Sequence, residues 1–114
     1  MWNRNVETFL GCDGTYEDSH IVIFGAPFDS TTSYRPGTRF AARTMRAESY
    51  GLETYSPYQD LDLEDARVFD GGDLELPFGD TARALDMIRS YAEKVLADGR
   101  LPLLIGGEHL VTLG

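Results

Sequence analysis

Leu101-Pro102-Leu103-Leu104-Ile105-Gly106-Gly107-Glu108-His109-Leu110-Val111-Thr112-Leu113-Gly114 is the stretch on which the reading of this chain turns. A short apolar run gives way to two glycines, then a carboxylate and an imidazole, then the opening residues of a helix. That is a strand, a tight turn and a polar tip. In open parallel sheets, ligands bind in the crevice beyond the carboxyl ends of the strands. A buried strand there aims the side chains that follow it at one fixed place, and paired glycines allow backbone conformations closed to other residues. His109 is therefore the first candidate for binding or chemistry, although a lone imidazole more often serves as a packed or surface residue.

Working back from that tip, Leu85, Ile88, Ala92, Val95 and Leu96 recur at helical spacing, with Asp80 placed to cap the start and Asp98-Gly99 to end it. Ala84, Met87 and Tyr91 widen the same apolar stripe, so Met87 reads as core. Before this helix, Val68-Phe69-Asp70 reads as a short strand closing on Gly71-Gly72-Asp73. Asp70 and Asp73 stand where metal carboxylates could stand, yet Asp beside Gly is also ordinary turn chemistry, and the structural reading is preferred. Residues 53–66 are acidic and aromatic without a clean period, an exposed excursion with turns.

Residues 40–52 read as a helix with Phe40, Ala41, Thr44, Met45 and Ala47 near one face and Gly51 as its stop. The run His20-Ile21-Val22-Ile23-Phe24-Gly25 has the β-branched and aromatic character of a strand buried on both faces. His20 sits at the end away from any ligand crevice and reads as structural. Between these two elements, residues 26–39 form a connection longer than the roughly 12 residues usual in compact domains. Its prolines and Tyr34 suit an ordered loop, either a stiff surface loop or a functional one. The lead-in, residues 1–19, is weakly periodic, with a short helix expected over residues 6–10.

Strand, helix, strand, helix, strand is the alternation that builds a parallel sheet, so the expected fold class is α/β. The expected organisation is a lead-in over residues 1–19 and a βαβαβ portion over residues 20–114, together one piece of a single domain. Two full helices are few for covering both faces of a parallel sheet. The chain is accordingly expected to continue in its natural form or to be completed by another chain, and to melt broadly when isolated.

Composition bounds the rest. The 114 residues are 42% apolar and 25% charged, as in ordinary globular proteins. A formal net charge of −9 without any Lys/Arg cluster argues against a nucleic-acid surface. No segment approaches the roughly 20 apolar residues of a membrane span, and the first residues show neither a secretory signal nor a transit peptide. A single cysteine, Cys12, cannot form an internal disulfide, which fits a reducing cytoplasm. No phosphate-binding Gly-rich loop, dinucleotide fingerprint or serine nucleophile elbow is present. What survives is carboxylates and one His at strand ends, the vocabulary of Mn, Fe or Zn.

Three segments together carry a resemblance. The loop Gly25-Ala26-Pro27-Phe28-Asp29-Ser30 with Ser33-Tyr34-Arg35-Pro36-Gly37-Thr38-Arg39-Phe40, then Phe69-Asp70-Gly71-Gly72-Asp73, then Gly106-Gly107-Glu108-His109, resemble the amino-terminal part of the arginase and agmatinase family of ureohydrolases. Within it, the Gly-Gly-Glu-His motif, the Ser-Tyr-Arg-Pro-Gly loop and Gly51-Leu52-Glu53-Thr54-Tyr55-Ser56-Pro57-Tyr58 are most similar to agmatinases. The resemblance implies a three-layer α/β/α sandwich around a parallel sheet, present here as an incomplete amino-terminal part. It implies hydrolysis of agmatine to putrescine and urea, a polyamine-forming reaction on a small cationic guanidino substrate, using hydroxide generated at two manganese ions (Mn2+). Only one metal ligand of the family motif carries over, His109; Asp73 carries over as supporting structure. The family's other ligands and its proton-shuttling His have no counterpart in these residues, so no catalytic residue is assigned and the chain alone is expected to be inactive. The family also implies a homo-oligomer.

Two rivals remain. One is a related amidinohydrolase acting on guanidinobutyrate, arginine or formiminoglutamate. The other is a non-catalytic interaction module in which residues 106–109 are a structural turn.

Overall fold

Ile21-Val22-Ile23-Phe24-Gly25-Ala26 forms β1 (Ile21–Ala26), the central strand of the molecule, one residue later than its sequence suggests. In this computed structural model, which describes residues 7–32 and 34–114, α1 (Ala41–Ser49), β2 (Tyr55–Ser56), β3 (Leu61–Asp62), β4 (Val68–Asp73), α2 (Thr81–Ala97) and β5 (Leu101–Gly106) follow. Three short 3-10 segments, Thr38–Phe40, Leu63–Ala66 and His109–Leu113, complete the order. The principal sheet runs β4-β1-β5 with both pairings parallel. Parallel neighbours need crossovers, and α1 and α2 lie within the two connections. All three strands therefore end on one side of the sheet.

Side chains alternate across β1, so Val22, Phe24 and Ala26 face one way and Ile23 the other. On the first face Val22 packs with Phe69 and Val95, and Ala26 packs with Ala84 and Ile88. Tyr91 lies against Phe24 with ring centroids 4.6 Å apart. These contacts seat α2 on that face. Its start is capped as expected, with the Asp80 carboxylate accepting from the Arg83 N–H. Leu96, expected on the apolar stripe, is 58% exposed, because the stripe narrows to Ala84, Ile88 and Val95 where the helix runs off the end of β1.

On the second face α1 lies near Gly25, where a Cβ would come within 3.0 Å of the Ala42 Cβ. A helix on each face of a parallel sheet gives the three layers that the resemblance implies and fits the α/β class expected from the alternation. The α1 face itself differs from expectation: its buried residues are Ala42, Arg46 and Ser49, while Phe40 and Met45 are about half exposed. A hydrophobic count cannot anticipate this, since what the face needs is a cation to meet Asp70 and Asp73.

β5 also departs from its reading. It is an edge strand, with Leu101 and Leu103 substantially exposed on the α1 face and only partial burial along the rest. Residues 53–66 are mostly exposed as expected but contain the small antiparallel pair β2-β3. The lead-in is tied down: Asp13 bridges Phe69 and the Leu10 N–H donates to Ser49 Oγ at 3.0 Å. Residues 7–9 of the short helix expected over residues 6–10 are not helical, and Val6 lies outside the described residues. His20 is exposed beside Arg67, a structural position. Among the described residues no helix is long and apolar enough to cross a membrane.

Candidate functional site

The carboxyl ends of β1 and β5 lie side by side, with Ala26 in register with Gly106. The chain leaves both strands at this point, and the two exits interlock. Gly107 N–H donates to the Thr38 carbonyl at 3.3 Å, and Glu108 N–H donates to the Phe28 carbonyl at 2.9 Å. Gly107 has φ +56°, and a Cβ there would lie 2.5 Å from the Ala26 carbonyl oxygen and 2.6 Å from that of Phe28. No side chain fits: the second glycine of the pair is what lets the β5 tip press against the loop from β1.

That loop is ordered by Asp29, whose carboxylate is 4% exposed. It accepts from the Gly37 N–H at 2.7 Å, from the Arg39 N–H at 3.4 Å, and from the Arg39 guanidinium at 3.0 Å. Burial acts to raise the Asp29 pKa, but these donors together hold it below the usual carboxylate value. The buried carboxylate thus draws the two ends of residues 30–36 together. The loop's length and prolines do not reveal this role; the sequence signal for it is an Asp set eight residues before a Gly and ten before an Arg.

The loop and the β5 tip enclose an open cavity of about 870 Å³, lined among others by Thr31, Tyr34, Arg35, Glu108 and His109. His109 opens the final 3-10 segment and is exposed, and its ring makes no hydrogen bond or ion pair within the described residues. Glu108 is engaged: both Thr31 donors, N–H and hydroxyl, reach its carboxylate. That leaves His109, among the described residues lining the cavity, as the potential metal donor with no protein partner.

The carboxylates at the end of β4 are committed elsewhere. Arg46 donates from Nε to Asp70 at 2.9 Å, from a terminal nitrogen to the other Asp70 oxygen at 3.1 Å, and from its remaining nitrogen to Asp73 at 2.6 Å. Phe9 and Gly72 N–H groups also donate to Asp70. Burial acts to lower the Arg46 pKa, and the two carboxylates outweigh it and hold the guanidinium charged. Asp70 and Asp73 are therefore structural, as their Gly-rich context suggests. Cys12 is buried among Phe9, Ile23 and Val68, and burial, then Asp70 and Asp13, push its thiol up to about 11, which removes it as a nucleophile.

Among the described residues, no group of three or more His, Cys, Asp or Glu side chains could hold a metal ion. One neutral imidazole binds manganese weakly, so the donor set among the described residues does not by itself make the two-manganese site that the resemblance implies.

Comparison with known proteins agrees with the architecture. The arginase family model matches residues 19–114. An agmatinase of Bacillus anthracis is 50% identical over 106 residues, covering 93% of this chain and 37% of that protein. Among solved structures, agmatine ureohydrolase of Thermoplasma volcanium superposes with a TM-score of 0.90 at 33% identity, over 96% of this chain and 37% of the other. A Trypanosoma cruzi formiminoglutamase with Mn2+ gives a TM-score of 0.75 at 25% identity, over 90% and 35%. The chain thus spans little more than a third of the length of these relatives.

Proposed function

This chain belongs to the arginase family, and from that premise we propose that the whole protein hydrolyses agmatine to putrescine and urea. The observation that carries the proposal is the His109 ring, free of partners among the described residues, at the tip of β5 and lining a cavity walled by the loop from β1. In the reaction, water oxygen adds to the guanidino carbon, the bond from that carbon to the alkyl nitrogen breaks, and the departing amine takes a proton. Resonance makes the guanidino carbon a poor electrophile, and a pair of manganese ions would supply hydroxide from water near neutral pH. His109 is the residue of this chain that would hold one of them. The other ligands and the proton-shuttling group would have to come from outside these 114 residues, so the chain alone is proposed to be inactive.

The chain's own share is positional. Asp29 fixes the base of the loop, Gly107 allows the close approach, and together they set the wall of the cavity against His109. A net charge of −9 favours approach of a cationic substrate. Assembly as a homo-oligomer and a cytoplasmic location accompany the proposal, the latter consistent with an unpaired, buried Cys12.

A second reading has one observation in its favour. Arg35 lines the cavity without an ion-pair partner among the described residues, and a guanidinium there suits a substrate carrying a carboxylate, such as guanidinobutyrate or arginine. Urea release by the full-length protein from agmatine, guanidinobutyrate and arginine separates the two. Agmatine preferred by about tenfold or more in kcat/KM supports the first reading. A carboxylated substrate preferred by that margin supports the second, and no urea from any guanidino compound overturns both.

A further inference from the structure

The cavity wall has a latch. Thr31, near the start of the loop, donates its backbone N–H to Glu108 Oε2 at 3.2 Å and its hydroxyl to Oε1. Glu108 also donates its own N–H to Phe28, so this one residue grips the loop at two points, by backbone and by carboxylate. Asp29 closes the base of the same loop through Gly37 and Arg39. The loop thus has a base anchor and a forward anchor. Beyond the forward anchor, Tyr34 is 92% exposed and has no packing to hold it. Hydrogen bonds to a carboxylate are about twice as strong as neutral ones, and while Asp29 holds the base, the Glu108 contact is the one that ties the forward part of the wall to the β5 tip.

Resting on the ureohydrolase reading above, we propose that Glu108 is a positioning residue: its carboxylate clamps the loop at Thr31, holds the cavity wall of Thr31, Thr32, Tyr34 and Arg35 in place, and so sets how tightly the guanidino substrate is held. It does so through Thr31, without touching the substrate. The length of the side chain matters, because an aspartate is one methylene, about 1.5 Å, too short to reach both Thr31 donors from the same backbone position. The backbone position is itself fixed by the contact to Phe28.

The test uses the full-length protein and two independent readouts. Hydrogen exchange of residues 30–36 reports the clamp whether or not the protein turns over any substrate. Glu108→Ala is expected to speed that exchange about tenfold while leaving β1 and β5 amides unchanged, Glu108→Asp to do the same to a similar extent, and Glu108→Gln, whose amide oxygen still accepts, to speed it less. In kinetics, Glu108→Ala is expected to raise KM about tenfold with kcat changed less than about threefold and manganese content unchanged. Thr31→Val, which keeps the shape at an exposed position and folds even if Glu108→Ala does not, is expected to shift KM the same way by less. The double variant should be no worse than Glu108→Ala alone, since both remove one contact. Unchanged loop exchange in the Glu108 variants overturns the proposal. So do KM effects that multiply in the double variant, or a fall in kcat or manganese at constant KM, which would assign the carboxylate to the reacting centre. Absence of urea release by the wild type would defeat the ureohydrolase reading, and the exchange result would still decide the clamp.

Discussion

Replacing Arg46 by Ala should be among the most damaging single changes in this chain. The guanidinium is 7% exposed and serves two carboxylates, Asp70 at 1% exposure and Asp73 at 28%. After truncation Asp70 keeps two backbone donors, from Phe9 and Gly72, and Asp73 keeps none among the described residues. Breaking a buried pair from one side costs about 3–5 kcal/mol, because the remaining charge is stranded. Partial exposure of Asp73 lets water screen its share, which places the expected loss near the lower end, about 3 kcal/mol. Arg46→Lys keeps the charge but presents one point where three nitrogens bonded, and should cost about half as much. Arg89, paired with Asp86 on the exposed side of α2 with both side chains about 60% exposed, provides the control: Arg89→Ala should leave stability unchanged. The assay is chemical denaturation of the full-length protein followed by circular dichroism, compared at equal slope so that midpoints report stability. A loss for Arg46→Ala of less than about 1 kcal/mol, or no greater than that of Arg89→Ala, would refute the argument.

Three further outcomes follow from the same geometry. Gly107→Ala forces a Cβ into two carbonyl oxygens and should cost about 1–3 kcal/mol on denaturation, besides displacing the His109 tip; a variant as stable as wild type contradicts the close approach. Cys12, with its thiol at about 11, is about one part in a thousand thiolate at pH 8, so Ellman's reagent should label it only as fast as the protein opens, and rapid labelling of the native protein would count against its burial. Its linkage has a sign as well: the unfolded thiol, near 9.0, loses its proton first, so stability falls as pH rises from there toward 11, and Cys12→Ser should remove that part of the slope. Asp29 works in the opposite sense. Its carboxyl is lowered from 3.8 in the folded state, so its contribution is present above that value and lost as pH falls through the lower one; the loop's amides should then lose protection relative to intrinsic exchange at the same pH, whereas Asp29→Asn should show the lower protection already at neutral pH.

Much of this fold was legible because β1 and α2 obey simple periodicities. A short continuous β-branched and aromatic run reads as a strand buried on both faces, and Asp80 ahead of an apolar stripe reads as the cap of a helix facing it. α1 resisted because its buried face carries Arg46, a residue that hydrophobic patterning assigns to solvent; only the two aspartates at the end of β4, distant in sequence, explain its burial. Leu101 and Leu103 misled for a related reason, since an edge strand in this chain has the composition of a central one. At the site, the glycine pair pointed to a close backbone approach, which Gly107 makes, and His109 lines the cavity beside it. The roles of Asp29 and Glu108 were not visible, because each is defined by donors on the loop rather than by any local pattern. The manganese expectation rests on the family and on one uncommitted imidazole; the described residues assemble no complete donor set.

Manganese counted per chain, by elemental analysis of the full-length protein and its His109→Ala variant after gel filtration, tests the central claim most directly. The account predicts close to two ions per chain in the wild type and one or fewer in the variant, with the fold intact by circular dichroism. Equal manganese in both proteins would show that the imidazole at the end of β5 is not a ligand, and the proposed function would lose the observation on which it stands.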